Sequence, residues 1–185
     1  MSEVTISNSP VHSQSYVSQP YGVYNPNIQY TCGFHTGLDI IPYGTTENNP
    51  LLYSCVKGRI VATPTDNTLG VQVQIEDENG LFWRYCHMVE GSRLVQVGQQ
   101  VDINTPIGRM GDTGNVTGRH LHLELSTTQS WNCDNFLNPA LALGIPNETG
   151  TIINYDGTIP PEPTPEKINK NKWFKSLCKK IIIKY

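Results

Sequence analysis

Four of the five histidines in this chain lie in three short segments: HTGLD (35–39), RYCHM (84–88) and GRHLHLEL (118–125). Histidine and aspartate are the residue types of a catalytic zinc centre. Imidazole nitrogens and a carboxylate oxygen fill three positions, and water takes the fourth. Histidines left over from such a centre can move protons, because their ordinary pKa of about 6.5 lies near working pH.

Spacing sharpens this reading. HLHLEL alternates apolar and polar residues, the pattern of a half-buried strand. Alternate strand residues share a face. His120, His122 and Glu124 are therefore expected on one face, with Leu121, Leu123 and Leu125 on the other. In HTGLD, His35 and Asp39 are four apart and share a face if extended. Gly37 between them leaves room for close approach of backbone or ligand. Glu124 is either an orienting partner for a histidine or a solvated strand carboxylate. No H-E-x-x-H occurs, which excludes the helical metal site of that motif.

The three segments, in this order, resemble the lysostaphin-type (LytM-like) zinc metallopeptidases that cut peptidoglycan. The family's H-x-x-x-D reads His35-Thr-Gly-Leu-Asp39 here, and its Y-x-H reads Tyr85-Cys-His87. Its glycine-rich H-x-H stretch reads GDTGNVTGRHLHLE (111–124), and VGQQV (97–101) through Ile107-Gly108 also matches. The resemblance covers about Pro20 to Pro139. It implies one Zn2+ per chain on His35, Asp39 and His122, with His87 and His120 as catalytic histidines. It also implies a tyrosine upstream of the first motif that stabilises an oxyanion. Tyr21, Tyr24 and Tyr30 all qualify, and spacing does not choose among them. Tyr30 and Tyr85 are the candidate substrate contacts, Tyr85 because it shares a strand face with His87 if alternation holds. The implied activity is hydrolysis of an amide in a stem peptide or cross-link.

These residues need a rigid frame. Sixteen glycines and thirteen prolines in 185 residues argue for short strands and many turns. RIVATP (59–64), VQVQIE (71–76), LFWRYCHM (81–88) and HLHLEL (120–125) read as strands, and ENG (78–80) as a hairpin turn. The expected fold is all-β, with antiparallel sheets forming a groove and a short C-terminal amphipathic helical tail. The expected organisation is an N-terminal extension (1–19), a peptidase domain (20–157), a Pro-rich linker (158–167) and a basic tail (168–185).

The tail differs in charge from the rest. Residues 1–166 hold all sixteen acidic and only six basic residues, a net −10, whereas 167–185 carry seven lysines. Trp173, Phe174, Leu177, Cys178, Ile181 and Ile182 fall at helical amphipathic spacing. Lys172, Lys175, Lys179 and Lys180 mostly fall outside that stripe. A basic amphipathic segment of this kind suits an anionic surface such as lipid or teichoic acid. No nucleic-acid partner is expected, because the acidic main part would be repelled by phosphate. The alternative function is a wall- or membrane-binding module driven by this tail, with a non-catalytic or structural role in a virion.

The five cysteines form no C-x-x-C, and an odd number does not suggest a complete disulfide framework. The opening MSEVTISNSPVHSQSY has neither basic start nor apolar run. The expectation is therefore synthesis in a host cytoplasm with reduced thiols. Action on the wall would follow release through a holin, or delivery from the virion, as in a phage or prophage endolysin. Cys86 should face away from the metal if strand alternation holds. His12 reads as a loop histidine.

Overall fold

The computed structural model describes residues 2–43 and 45–157. The linker and tail expected over 158–185, including Lys172, Trp173, Phe174, Lys175, Lys179 and Lys180, lie outside the described residues.

The chain enters through β1 (Glu3–Ile6), β2 (Ser15–Gln19) and β3 (Gly37–Pro42). Then come β4 (Leu51–Tyr53), β5 (Gly58–Ala62), β6 (Thr65–Asp66), β7 (Gly70–Asp77) and β8 (Phe82–Met88). β9 (Gln100–Val101), β10 (Pro106–Arg109), β11 (Leu121–Ser126) and β12 (Phe136–Leu137) follow. The short helix α1 (Pro139–Leu143) and β13 (Ile152–Tyr155) end the described chain. The main sheet runs β1-β13-β2-β3-β11-β8-β7-β5-β9, with β12 on β11 and β6 on β7, and β4 pairs with β10 in a second sheet. The architecture is the expected all-β one. The sheet is mixed rather than purely antiparallel, because β1 and β13 run parallel.

Residues 3–6 and 15–19, within the stretch read as an extension, are strands of this sheet. β2 lies directly beside β3, which carries Asp39. The intervening His12 is stacked between Tyr53 and Tyr155, with ring centroids at 3.5 and 3.7 Å. That contact fastens the N-terminal segment to both β4 and β13.

The expected hairpin is β7–β8. Its turn is closed by Asp77, whose Oδ1 accepts from the N–H groups of Asn79 and Leu81, with Gly80 at φ 75°. One face of the sheet is dry. Leu121, Leu123 and Leu125 are fully buried with Leu38, Ile40, Val73, Ile75 and Tyr85. Each such aliphatic side chain contributes about 1.5–3 kcal/mol of transfer free energy. This packed layer is the base on which the opposite face is built.

Candidate metal and proton-transfer site

Register places two polar rungs across the other face. Gln19, Asp39, His122 and Cys86 pair successively through β2, β3, β11 and β8. Gly37, Glu124, Arg84 and Gln74 form the next rung. Directly opposed residues in antiparallel strands share a face, so sheet pairing alone brings Asp39 against His122. Gly37, with no side chain, leaves room on its rung for the His122 ring. A Cβ there would sit 2.6 Å from Cε1 of His122. The closely approaching group is thus an imidazole of the chain itself.

Three donor atoms converge. His122 Nδ1 lies 2.8 Å from Asp39 Oδ1, His35 Nε2 lies 3.2 Å from the same oxygen, and the two ring nitrogens are 3.1 Å apart. Among the described residues, these three form the group of buried His, Asp, Cys or Glu side chains arranged to hold a metal ion. Zinc bonds of 2.0–2.1 Å in tetrahedral geometry put ligand atoms about 3.3 Å apart, so the spacing fits. The protonation pattern fits as well. His35 Nδ1 donates to the Pro20 carbonyl at 2.8 Å, and because a carbonyl only accepts, the Nε2 lone pair of the neutral ring faces the convergence point.

The surroundings favour positive charge. Glu124 is buried, with Oε1 3.1 Å from His122 Nε2, although off the line of a good hydrogen bond. Burial acts to lower the His122 pKa, but Asp39 and Glu124 on either side raise it to about 10. Burial likewise acts against ionisation of Asp39, yet the bonds from His122 and His35 hold it well below the usual carboxylate range. Glu124 is opposed by burial and held at about 2 by His122, Arg84 and Thr36. Thr36 Oγ1 donates to it at 2.6 Å, and Arg84 forms a paired contact through Nε and Nη2. The Arg84 guanidinium in turn lies 4.0 Å from the Trp131 ring centroid, whose Nε1 donates to Gln74. Glu124 is therefore a buried carboxylate beside His122 and not a solvated one.

His87 and His120 stand beside this group. Their rings are 4.9 Å apart, His87 is 5.7 Å from the His122 ring, and His120 Nε2 is 3.6 Å from Asp39 Oδ1. Each donates Nδ1–H to a carbonyl: His87 to Thr113 at 2.9 Å, His120 to Gly118 at 2.8 Å. Both neutral rings thus keep Nε2 as the available base. Burial first, and the neighbouring His122 second, lower the His87 pKa to about 4.

A β-bulge brings His87 here. Between the Tyr85–Val73 and Met88–Val71 pairs, β8 uses one residue more than β7, and His87 takes φ 59°. This corrects two expectations that assumed unbroken alternation. Tyr85 does not line a groove. It is wholly buried in the core, where its hydroxyl accepts from the Cys55 N–H at 2.8 Å and lies 2.9 Å from Cys55 Sγ. Cys86 pairs with His122 and so shares the site-bearing face. It is fully buried, and burial first, then Glu124, keeps its thiol well above the ordinary range. A protonated, enclosed thiol is no nucleophile.

Of the three upstream tyrosines, Tyr30 is the one at the site. Its ring is 6.0 Å from that of His35, and its hydroxyl accepts from Gln19 Nε2. Tyr21 donates to the Phe136 carbonyl, and Tyr24 is largely exposed. The expectation of reduced thiols also requires correction. Cys32 and Cys133 form a disulfide, while Cys55 and Cys86 are free and buried. The bridge ties the loop bearing Tyr30 to the loop bearing Trp131. Cys32 is thereby unavailable as a metal ligand. No spacing in the sequence signalled this pair, 101 residues apart.

A half-dry β-sheet with a His-Asp-His cluster and a flanking histidine pair defines a hydrolase-like metal centre. Profile comparison agrees: Peptidase family M23 matches residues 33–134, more than half of the chain. The chain belongs to that family. It is 38% identical over 92 residues to the peptidoglycan DD-endopeptidase ShyA of Vibrio cholerae, covering 49% of this chain and 20% of that protein. The chain thus spans about a fifth of the length of that curated relative. Among solved structures, the catalytic domain of lysostaphin from Staphylococcus simulans superposes with a TM-score of 0.60 at 24% identity, covering 72% of this chain and 92% of that one. A zinc-containing peptidase from Vibrio cholerae gives 0.52 at 26% identity, covering 66% and 37%.

Proposed function

We propose that the chain is a zinc-dependent endopeptidase that hydrolyses amide bonds in bacterial peptidoglycan cross-links and acts as a lysin. The observation that carries this reading is the convergence of His35 Nε2, Asp39 Oδ1 and His122 Nδ1 beside two histidines whose Nε2 atoms are free to take protons. Bound there, zinc supplies Lewis acidity, polarising a carbonyl and lowering the pKa of water towards about 7.

The side chains supply the rest. His87 and His120 divide the proton transfers, one accepting from the attacking water and one delivering to the leaving amine. Their carbonyl-held Nδ1–H groups keep both Nε2 atoms aimed at the site through the cycle. Tyr30 accepts from Gln19, which leaves its own O–H proton available for a developing oxyanion. Burial raises its pKa, so the phenol remains a donor.

The DD-endopeptidase named among the relatives supports a D-alanine-containing cross-link as the bond. Action on the wall outside the membrane accords with the Cys32–Cys133 disulfide, since such bonds persist in oxidising surroundings. Release from a host at lysis, and anchoring by the basic 167–185 segment on an anionic wall polymer or lipid, complete the proposal. Mass spectrometry of fragments released from purified peptidoglycan, with zinc and after chelation, tests it. New amine and carboxyl termini that appear only with metal are expected. Intact peptide under both conditions overturns it.

A further inference from the structure

The described chain contains six basic residues, and five are engaged. Lys57 pairs with Glu78, Arg59 with Glu76, Arg84 with Glu124 and Arg109 with Glu47. Arg93 donates to the carbonyls of Pro64 and Gln72 and to the Thr65 hydroxyl. Arg119 is exposed, and among the described residues no acceptor holds its guanidinium. Among described residues that include fourteen acidic against six basic ones, an unpaired arginine is conspicuous by location. It precedes His120 and lines an open depression of about 250 Å3 shared with Ser18, Gln19, Asp39, Thr117 and His120.

The loop that leads to Arg119 is anchored at its start. Asn115 N–H donates to the Thr68 carbonyl at 2.9 Å, and a Cβ on Gly114 would sit 2.5 Å from the Gly70 nitrogen. The Gly118 carbonyl on its other side is held by His120. A planar, unpaired guanidinium beside His120 and Asp39 suits two-point recognition of a carboxylate.

We infer that Arg119 is a specificity determinant that binds a free carboxylate of the substrate within one residue of the scissile amide. The inference rests on the peptidase reading above. It narrows the substrate class to peptides that carry an unmodified carboxyl group beside the cleaved bond.

The test uses the full-length, zinc-loaded protein and directly cross-linked muropeptide dimers, either with free carboxyls or with those carboxyls converted to carboxamides by carbodiimide and ammonia. Loss of a charged hydrogen-bonding partner is expected to lower kcat/KM by about 10- to 100-fold for the carboxamide dimer. In Arg119→Gln the ratio between the two dimers is expected to fall to near one, chiefly through KM. Arg119→Lys should retain part of the preference, and Arg119→Glu should invert it. Zinc affinity by chelator competition should match the parent in all three, separating recognition from damage to His120 or Asp39. Equal preference in parent and Arg119→Gln overturns the inference and leaves the peptidase reading intact, as does an equal fall on both dimers. Failure of the parent to cut either dimer overturns the proposed cross-link specificity, and this inference with it.

Discussion

The two halves of the site are held by different kinds of backbone. Asp39 and His122 sit opposite each other on paired strands, with His35 two residues before β3. His87 sits on a bulge at φ 59°, and His120 at the end of a glycine-rich loop, just before β11. The first group needs three atoms about 3 Å apart whether or not substrate is present, and ladder register delivers that spacing. The second needs to reach past the sheet face to a reacting group, and an irregular backbone re-aims side chains in a way a regular strand does not. In the proposed function the first group holds a cation and the second moves protons, and mutations should separate the two.

The sharpest division is between His122 and the pair. His122→Ala removes one of three converging donors and strips Asp39 of its nearest partner. Both zinc binding, read by chelator competition, and peptidoglycan cleavage should fall to background. His87→Ala and His120→Ala should each lower kcat by about 10²- to 10⁴-fold, the range of a lost general acid or base, while retaining zinc. A His87 variant that loses metal as well would break the division.

Next in size is the support beneath His122. Gly37→Ala would push a methyl into the space its ring occupies, and Glu124→Gln would remove the carboxylate beside its Nε2. Each should weaken zinc binding by about 10- to 100-fold, as losses of groups that orient metal ligands do. Glu124 also links the site to stability. Its pKa is held at about 2 against an ordinary 4.5, so its contribution is present above pH 4.5 and lost as pH falls through 2. In metal-free protein, the stability gap between parent and Glu124→Gln should close over that window in denaturant titrations.

What was legible in the sequence follows the same division. HLHLEL was readable because its alternation is unbroken, and its leucines are indeed fully buried. HTGLD was readable because extended backbone carries from His35 to Asp39. RYCHM put a histidine beside the cluster but misplaced its neighbours, because a bulge re-aims His87 and so breaks its alternation with Tyr85 and Cys86. Thr36, Arg84 and Trp131 went unnoticed because their roles depend on cross-strand register and on a loop folding back, neither of which is written in local pattern. The Cys32–Cys133 pair was hidden for the same reason, its partners being brought together only by the closed fold.

That disulfide offers the mildest test. It lies outside both halves of the site but joins the loop carrying Tyr30 to the loop carrying Trp131. Closing 101 residues in the unfolded chain corresponds to about 4.7 kcal/mol in the chain-entropy account. Cys32→Ser with Cys133→Ser should therefore lower Tm by on the order of 10 °C. Zinc affinity should change little at 25 °C, because β3 and β11 are paired independently of the bridge. Cleavage should fall by only a fewfold, through Tyr30, whose loop the bridge restrains. If the double variant instead loses zinc, the strand ladder alone does not hold the metal ligands, and the bridge belongs with them as part of the metal-holding frame.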